Sequence, residues 1–146
     1  MLINNNLSVL RERDGMFDLI GKQGTTWGPL YIALTIDGVA VDLAGYSVRG
    51  QMRKKMSSAM PEAGLLFTIE DEPGGIIAMS MAAEDNAKLS CGPTVKDAAS
   101  IYVWDMEIYK DSPPEVSRPL GGKIYIDPEV SRAEPEPPIG DPEGTP

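Results

Sequence analysis

What most constrains the fold of this chain is its punctuation. From Met16 onward, short apolar stretches are broken about every 8 to 15 residues by Gly, Pro, Asp or Asn. A helix needs a longer uninterrupted run at a 3.6-residue period, whereas a strand ends naturally at such breakers, so the texture predicts an all-β domain.

Individual segments carry the same reading. Residues 16–20 are a short apolar strand closed by Gly21-Lys22-Gln23-Gly24. In residues 30–36 the two-residue period puts Leu30, Ile32, Leu34 and Ile36 on one face. Asp37-Gly38 follows, the strongest short-range hairpin signal, with residues 39–43 as the return limb. In residues 47–53, Val48, Gly50 and Met52 alternate with Arg49, Gln51 and Arg53, giving one buried and one wet face. Residues 65–69 and 76–81 should pair across the acidic turn at 70–75. Residues 81–89 read as a helix of about two turns, ended by Gly92-Pro93.

The longest strand expected is 101–109, with Tyr102, Trp104, Met106 and Ile108 inward and Asp105 and Glu107 on the other face. Residues 116–120 and 123–126 are its partner across Asp111-Ser-Pro-Pro114, with a bulge or bend at Gly121-Gly122. The fold class is therefore an immunoglobulin-like or related antiparallel β-sandwich with one short helix and extended termini. Trp104, Tyr102, Leu34, Val48 and Ile124 are the expected core. The boundaries are a polar arm over residues 1–15, the sandwich over 16–132 and a tail over 133–146. That tail holds five prolines, four acids and no base, a composition that buries too little to offset its ordering entropy when alone.

Composition narrows the function. A chain of 146 residues fits one domain. Its net charge of −9 opposes nucleic-acid binding, which depends on Lys and Arg displacing counterions from phosphates. No apolar run approaches the roughly 18 residues of a spanning helix, and the N-terminus lacks the pattern of a secretion signal, so the expectation is a protein assembled in a cytoplasm, off the membrane. Cys91 is the single cysteine, which rules out an internal disulfide and a multi-cysteine metal site. It reads as a small buried or half-buried residue.

With no histidine, the commonest general base and transition-metal ligand are both missing. The most enzyme-like feature is the pair Asp105 and Glu107, whose spacing suits a glycosidase pair or a cation, although a cross-strand salt bridge to Lys123 or an Arg is the simpler reading. Asp71 and Glu72 place too few ligands for a calcium loop. Trp27 and Tyr31 suggest a sugar-stacking platform, and equally an interface or core pair. No catalytic residue, metal or cofactor is expected.

Arg49, Arg53, Lys54 and Lys55 form the chain's basic cluster, read either as a wet strand face or as a contact for acidic tail residues Glu134, Glu136, Asp141 and Glu143 of a neighbouring subunit.

The order of motifs is itself distinctive: Gly24-Thr25-Thr26, Asp42-Leu-Ala-Gly-Tyr46, Arg49 and Arg53, Gly75-Ile76-Ile77, the helix before Leu89, then Tyr102-Val-Trp-Asp-Met-Glu-Ile108, Val116-Ser-Arg-Pro-Leu-Gly-Gly-Lys-Ile124 and Asp127-Pro-Glu-Val-Ser-Arg132. Over residues 20–132 this resembles the small β-sandwich proteins encoded among tail genes of tailed phages. In layout it is similar to the N-terminal domain of phage baseplate upper proteins. The resemblance implies a non-enzymatic virion protein of the tail, baseplate or fibre-docking region, bound to other phage structural proteins and to its own copies in a ring of roughly three or six. A capsid decoration protein and a carbohydrate-binding module are the alternatives.

Overall fold

The computed structural model describes residues 6–54 and 64–129, so Lys55 and the tail residues Glu134, Glu136, Asp141 and Glu143 lie outside the described residues. Ten strands form among the described residues: β1 (Leu7–Arg13), β2 (Met16–Lys22), β3 (Trp27–Ala33), β4 (Thr35–Ile36), β5 (Val39–Ala40), β6 (Ser47–Arg53), β7 (Leu66–Asp71), β8 (Ile76–Met81), β9 (Ile101–Asp111) and β10 (Pro114–Asp127). A one-turn helix, α1 (Ala83–Asn86), and a 3-10 turn, Ala98–Ser100, complete them.

The chain is an all-β sandwich. One sheet has five strands in the order β1-β2-β10-β9-β6, the other three in the order β3-β8-β7, and β4-β5 is a separate small hairpin. All described pairings are antiparallel except that between β2 and β10, which is parallel because the chain leaves β2 for the second sheet and returns much later beside it.

Alternation decides which side chains face inward. In β9, Tyr102, Trp104, Met106 and Ile108 are buried against β10 on one side and β6 on the other. Across the sandwich they meet Trp27, Ile77, Met79 and Met81 from the smaller sheet in one core cluster. Two glycines let the sheets interlock. A side chain at Gly21 would meet the Trp27 ring at 2.5 Å, and one at Gly50 would overlap the ring of Phe67 and the carbonyl of Asp105. Each glycine thus gives an aromatic ring from the facing sheet the space of a missing Cβ.

The polar tips of the buried aromatics are satisfied, as burial requires. Trp27 Nε1 donates to the Lys22 carbonyl at 2.8 Å, Trp104 Nε1 to that of Phe17 at 2.9 Å, and the Tyr102 hydroxyl to that of Ser90 at 2.7 Å. A fully buried Asn86 pins the β2–β3 turn to α1. Its side-chain oxygen accepts from the Gly24 amide, and its Nδ2 donates to the Thr25 carbonyl at 2.6 Å. The Gly24-Thr25 motif is thereby explained as a structural clasp.

Several expectations are corrected. The polar arm expected over 1–15 is a strand from Leu7 to Arg13, because Leu7 is buried in the core while an edge position lets Arg11, Glu12 and Arg13 stay in water. The helix over 81–89 shrinks to Ala83–Asn86, since Met81 still belongs to β8. The return limb expected over 39–43 continues the hairpin as far as Val41, whose amide donates to the Leu34 carbonyl at 3.0 Å, while the Leu43 amide donates to the Glu72 carbonyl in the turn after β7. The register break in β10 falls between Ser117 and Leu120, ahead of the glycines, which remain paired with Asp105 and Trp104. Val48 is half-buried beside the core, while Trp104, Tyr102, Leu34 and Ile124 lie within it.

Candidate assembly surfaces

Two features of the molecule face outward with contrasting chemistry. On the outer side of the five-stranded sheet, the register sets Arg49 opposite Glu107 and Gln51 opposite Asp105, and places Gly121 and Lys123 across from Asp105 and Val103. Arg118 sits in the β10 bulge, which swings its guanidinium back over the sheet. It reaches Asp105 at 3.2 Å and Glu107 at 3.3 Å. Arg49 Nε donates to the other oxygen of Glu107 at 2.8 Å, with its guanidinium 4.3 Å from the Tyr109 ring centre.

Asp105 and Glu107 are therefore a cross-strand salt-bridge ladder. The hydrogen bond from Arg49, with that from Arg118 behind it, holds the Glu107 carboxyl below the usual carboxylate range against partial desolvation, and the same contact raises the Arg49 guanidinium further. A general acid requires a shift in the opposite direction. Beside the ladder lies an open groove of about 880 Å³, walled by the Asp14-Gly15-Met16 turn, β6 and the Arg118–Lys123 stretch of β10.

The basic cluster seen in sequence is divided by the fold. Arg49 and Arg53 line the groove, and Arg53 donates to Gln51 at 2.6 Å. Lys54 turns away, donating to the Ala99 carbonyl at 2.9 Å and covering the Tyr102 ring at 4.7 Å. In exchange the fold brings Arg118 and Lys123 into the groove, and pairing of β1 with β2 extends the same face to Arg11 and Arg13. These cations are far apart in sequence, so only strand register unites them. Arg118-Pro119 before a Gly-Gly pair was the one local sign of a bulge able to re-aim a side chain.

The outer side of the three-stranded sheet is different. With Leu30 and Ile32 of β3, Ile77 and Met79 of β8, and Phe67 and Ile69 of β7 turned to the core, the outward positions are Pro29, Tyr31 and Ala33, then Ile76, Ala78 and Ser80, then Leu66, Thr68 and Glu70. Across a bulge at Glu70 the register sets Asp71 opposite Ile76, so the charges of that side are confined to one end of the sheet. Tyr31 and Leu66 are 61% and 57% exposed, flanking the small Ala78 and Ser80 of the central strand. The Asp37-Gly38 turn adds Ile36 and Val39, each 68% exposed, with the positive φ angles of 52° and 80° that a type I′ turn demands.

Trp27 is fully buried, so it and Tyr31 form no stacking platform. Cys91 is half-buried, its thiol 3.3 Å from Gln23 Oε1. One edge of each sheet is blunted: β1 carries a bulge at Leu10 and the charges Arg11, Glu12 and Arg13, and β3 carries Pro29 and a register break. No group of three or more His, Cys, Asp or Glu positioned for a metal occurs among the described residues, and none of their helices is long and apolar enough to cross a membrane. Compared with known proteins, the chain matches no family model and no curated protein.

Proposed function

We propose that the chain is a structural protein of a tailed-phage virion, joining neighbouring proteins in the tail, baseplate or fibre-docking region. The motif order from Gly24 to Arg132 supplies the phage context, by resemblance. The observation that carries an assembly role is the largely apolar outer face of β3, β8 and β7, with charge only at its Glu70–Asp71 end and with Tyr31 and Leu66 exposed. A tyrosine ring offers a large amphipathic contact with few rotatable bonds, and aromatic residues are for that reason enriched at protein contacts.

The outer face of the smaller sheet is a better joining surface than the β1 edge, whose bulge and charges oppose strand addition. Repetition of one contact around an axis would close a ring of roughly three or six copies. Quantitative mass spectrometry of purified particles tests the reading. The chain should co-purify with the tail proteins at a fixed ratio to them. Its absence from intact particles, with the free protein present in the same lysate, would overturn it.

A further inference from the structure

The groove on the five-stranded sheet belongs to a face whose charge runs against that of the whole chain. Arg11, Arg13, Arg49, Arg53, Arg118 and Lys123 stand there against Asp14, Asp18, Asp105 and Glu107, while the chain as a whole carries −9. Asp18 answers Arg11 at 3.7 Å, and Asp105 and Glu107 are taken by Arg118 and Arg49. Arg13 and Lys123 form no ion pair among the described residues. Arg49, Arg53, Arg118 and Lys123 line the channel against Asp14, Asp105 and Glu107, with Arg11 and Arg13 beside it on β1, so the channel keeps a small excess of positive charge.

We infer that this channel takes the acidic, proline-rich segment 133–146 of a second copy of the chain. Three observations favour that occupant. The segment carries Glu134, Glu136, Asp141 and Glu143 and no base, which complements the cations of the face. Its prolines at 135, 137, 138 and 142 favour an extended polyproline conformation at about 3.1 Å per residue, an acidic ribbon long enough to cross to a neighbour. The position of the last described residues favours another copy's groove over the chain's own. β10 passes the groove at Arg118–Lys123 and then runs on to Asp127, and the Glu129 amide is held by Gln23 Oε1 at 3.0 Å at the far end of β2. That anchor lies beyond the groove, at the opposite end of β2 from Met16.

Each copy offers one face and one segment, so the contact is head-to-tail and generates a ring or a chain of subunits. It deepens the assembly reading and rests on it only for where the contact is used, because the association is a property of the isolated chain. Since the cations are exposed, the contact is weak singly, salt-sensitive, and strengthened when a closed ring makes it multivalent.

Sedimentation velocity of the full chain tests this, with thermal melts confirming that every variant folds. The expected result is concentration-dependent association at about 20 mM salt that weakens at least tenfold at about 500 mM, the range over which surface charge pairs become screened. A face variant (Arg53→Glu, Lys123→Glu) and a segment variant (Glu134→Gln, Glu136→Gln, Asp141→Asn, Glu143→Gln) should each stay monomeric alone. Mixed together, they should form a 1:1 dimer, because one intact face and one intact segment remain. A wild-type chain that stays monomeric at low salt, or association that survives neutralising the segment, overturns the inference. Association in solution by a chain absent from particles would instead overturn the virion reading and leave this contact standing.

Discussion

The outer faces of the two sheets are built on the same backbone pattern and do opposite things with it. On β6, β9 and β10 the outward positions carry ions that answer one another across the strands, so Glu107 is gripped by Arg49 and Arg118 before any partner arrives. On β3, β8 and β7 the outward positions carry Tyr31 and Leu66, both exposed, on either side of the small Ala78 and Ser80. The first face recognises charge and sets register. The second gains free energy when it is covered, at about 25 cal/mol for each Å² of apolar surface removed from water.

That contrast breaks most completely if the sheets do not stack through their glycines. Gly50→Val should force Phe67 and the Asp105 carbonyl apart, destabilise the fold by about 1–3 kcal/mol and lower Tm by several degrees in a calorimetric melt. An unchanged melt would mean the faces are not held as described. Asn86→Ala, which leaves the Gly24 amide and Thr25 carbonyl without their partner, should cost about 1–3 kcal/mol by chemical denaturation. Asn86→Asp should recover little, because a carboxylate cannot donate to the Thr25 carbonyl.

Smaller effects separate the faces themselves. Arg118→Ala should cost no more than about 1 kcal/mol, since the ladder is exposed to solvent. The sign of its pH dependence is fixed. Glu107 is lowered in the fold, so its contribution is present above the ordinary carboxylate pKa and is lost as pH falls through the lower folded value. Denaturant melts from pH 6 downward should therefore show a shallower acid loss when Arg49 and Arg118 are both replaced by Ala. On the other face, Tyr31→Ser with Leu66→Ser should change folding stability by less than about 0.5 kcal/mol each and yet reduce incorporation into particles. Normal incorporation of that double variant would remove the apolar face from the account.

The sandwich was legible from sequence because strand alternation is a local signal. The inward row of β9, the Asp37-Gly38 hairpin and the pairing of β7 with β8 all follow from two-residue periodicity and turn chemistry. What escaped was anything set by pairing between distant segments. Leu7–Arg13 looked like an arm because an edge strand is permitted the polarity of a loop. Trp27 looked available for a ligand because nothing nearby in sequence shows that Gly21 makes room for its ring. Neither outer face is contiguous in the chain, and the basic one draws Arg118 from a bulge whose position the adjacent glycines misdirected.

Hydroxyl-radical footprinting of the full chain, free and within purified particles, addresses the joining surface directly. Tyr31 and Leu66 should lose most of their labelling on assembly, while Leu10 and Val9 on the β1 edge remain as reactive as in the free protein. Full labelling of Tyr31 in the assembled state, with protection moved to the β1 edge, would contradict a joining surface on the apolar outer face of the smaller sheet.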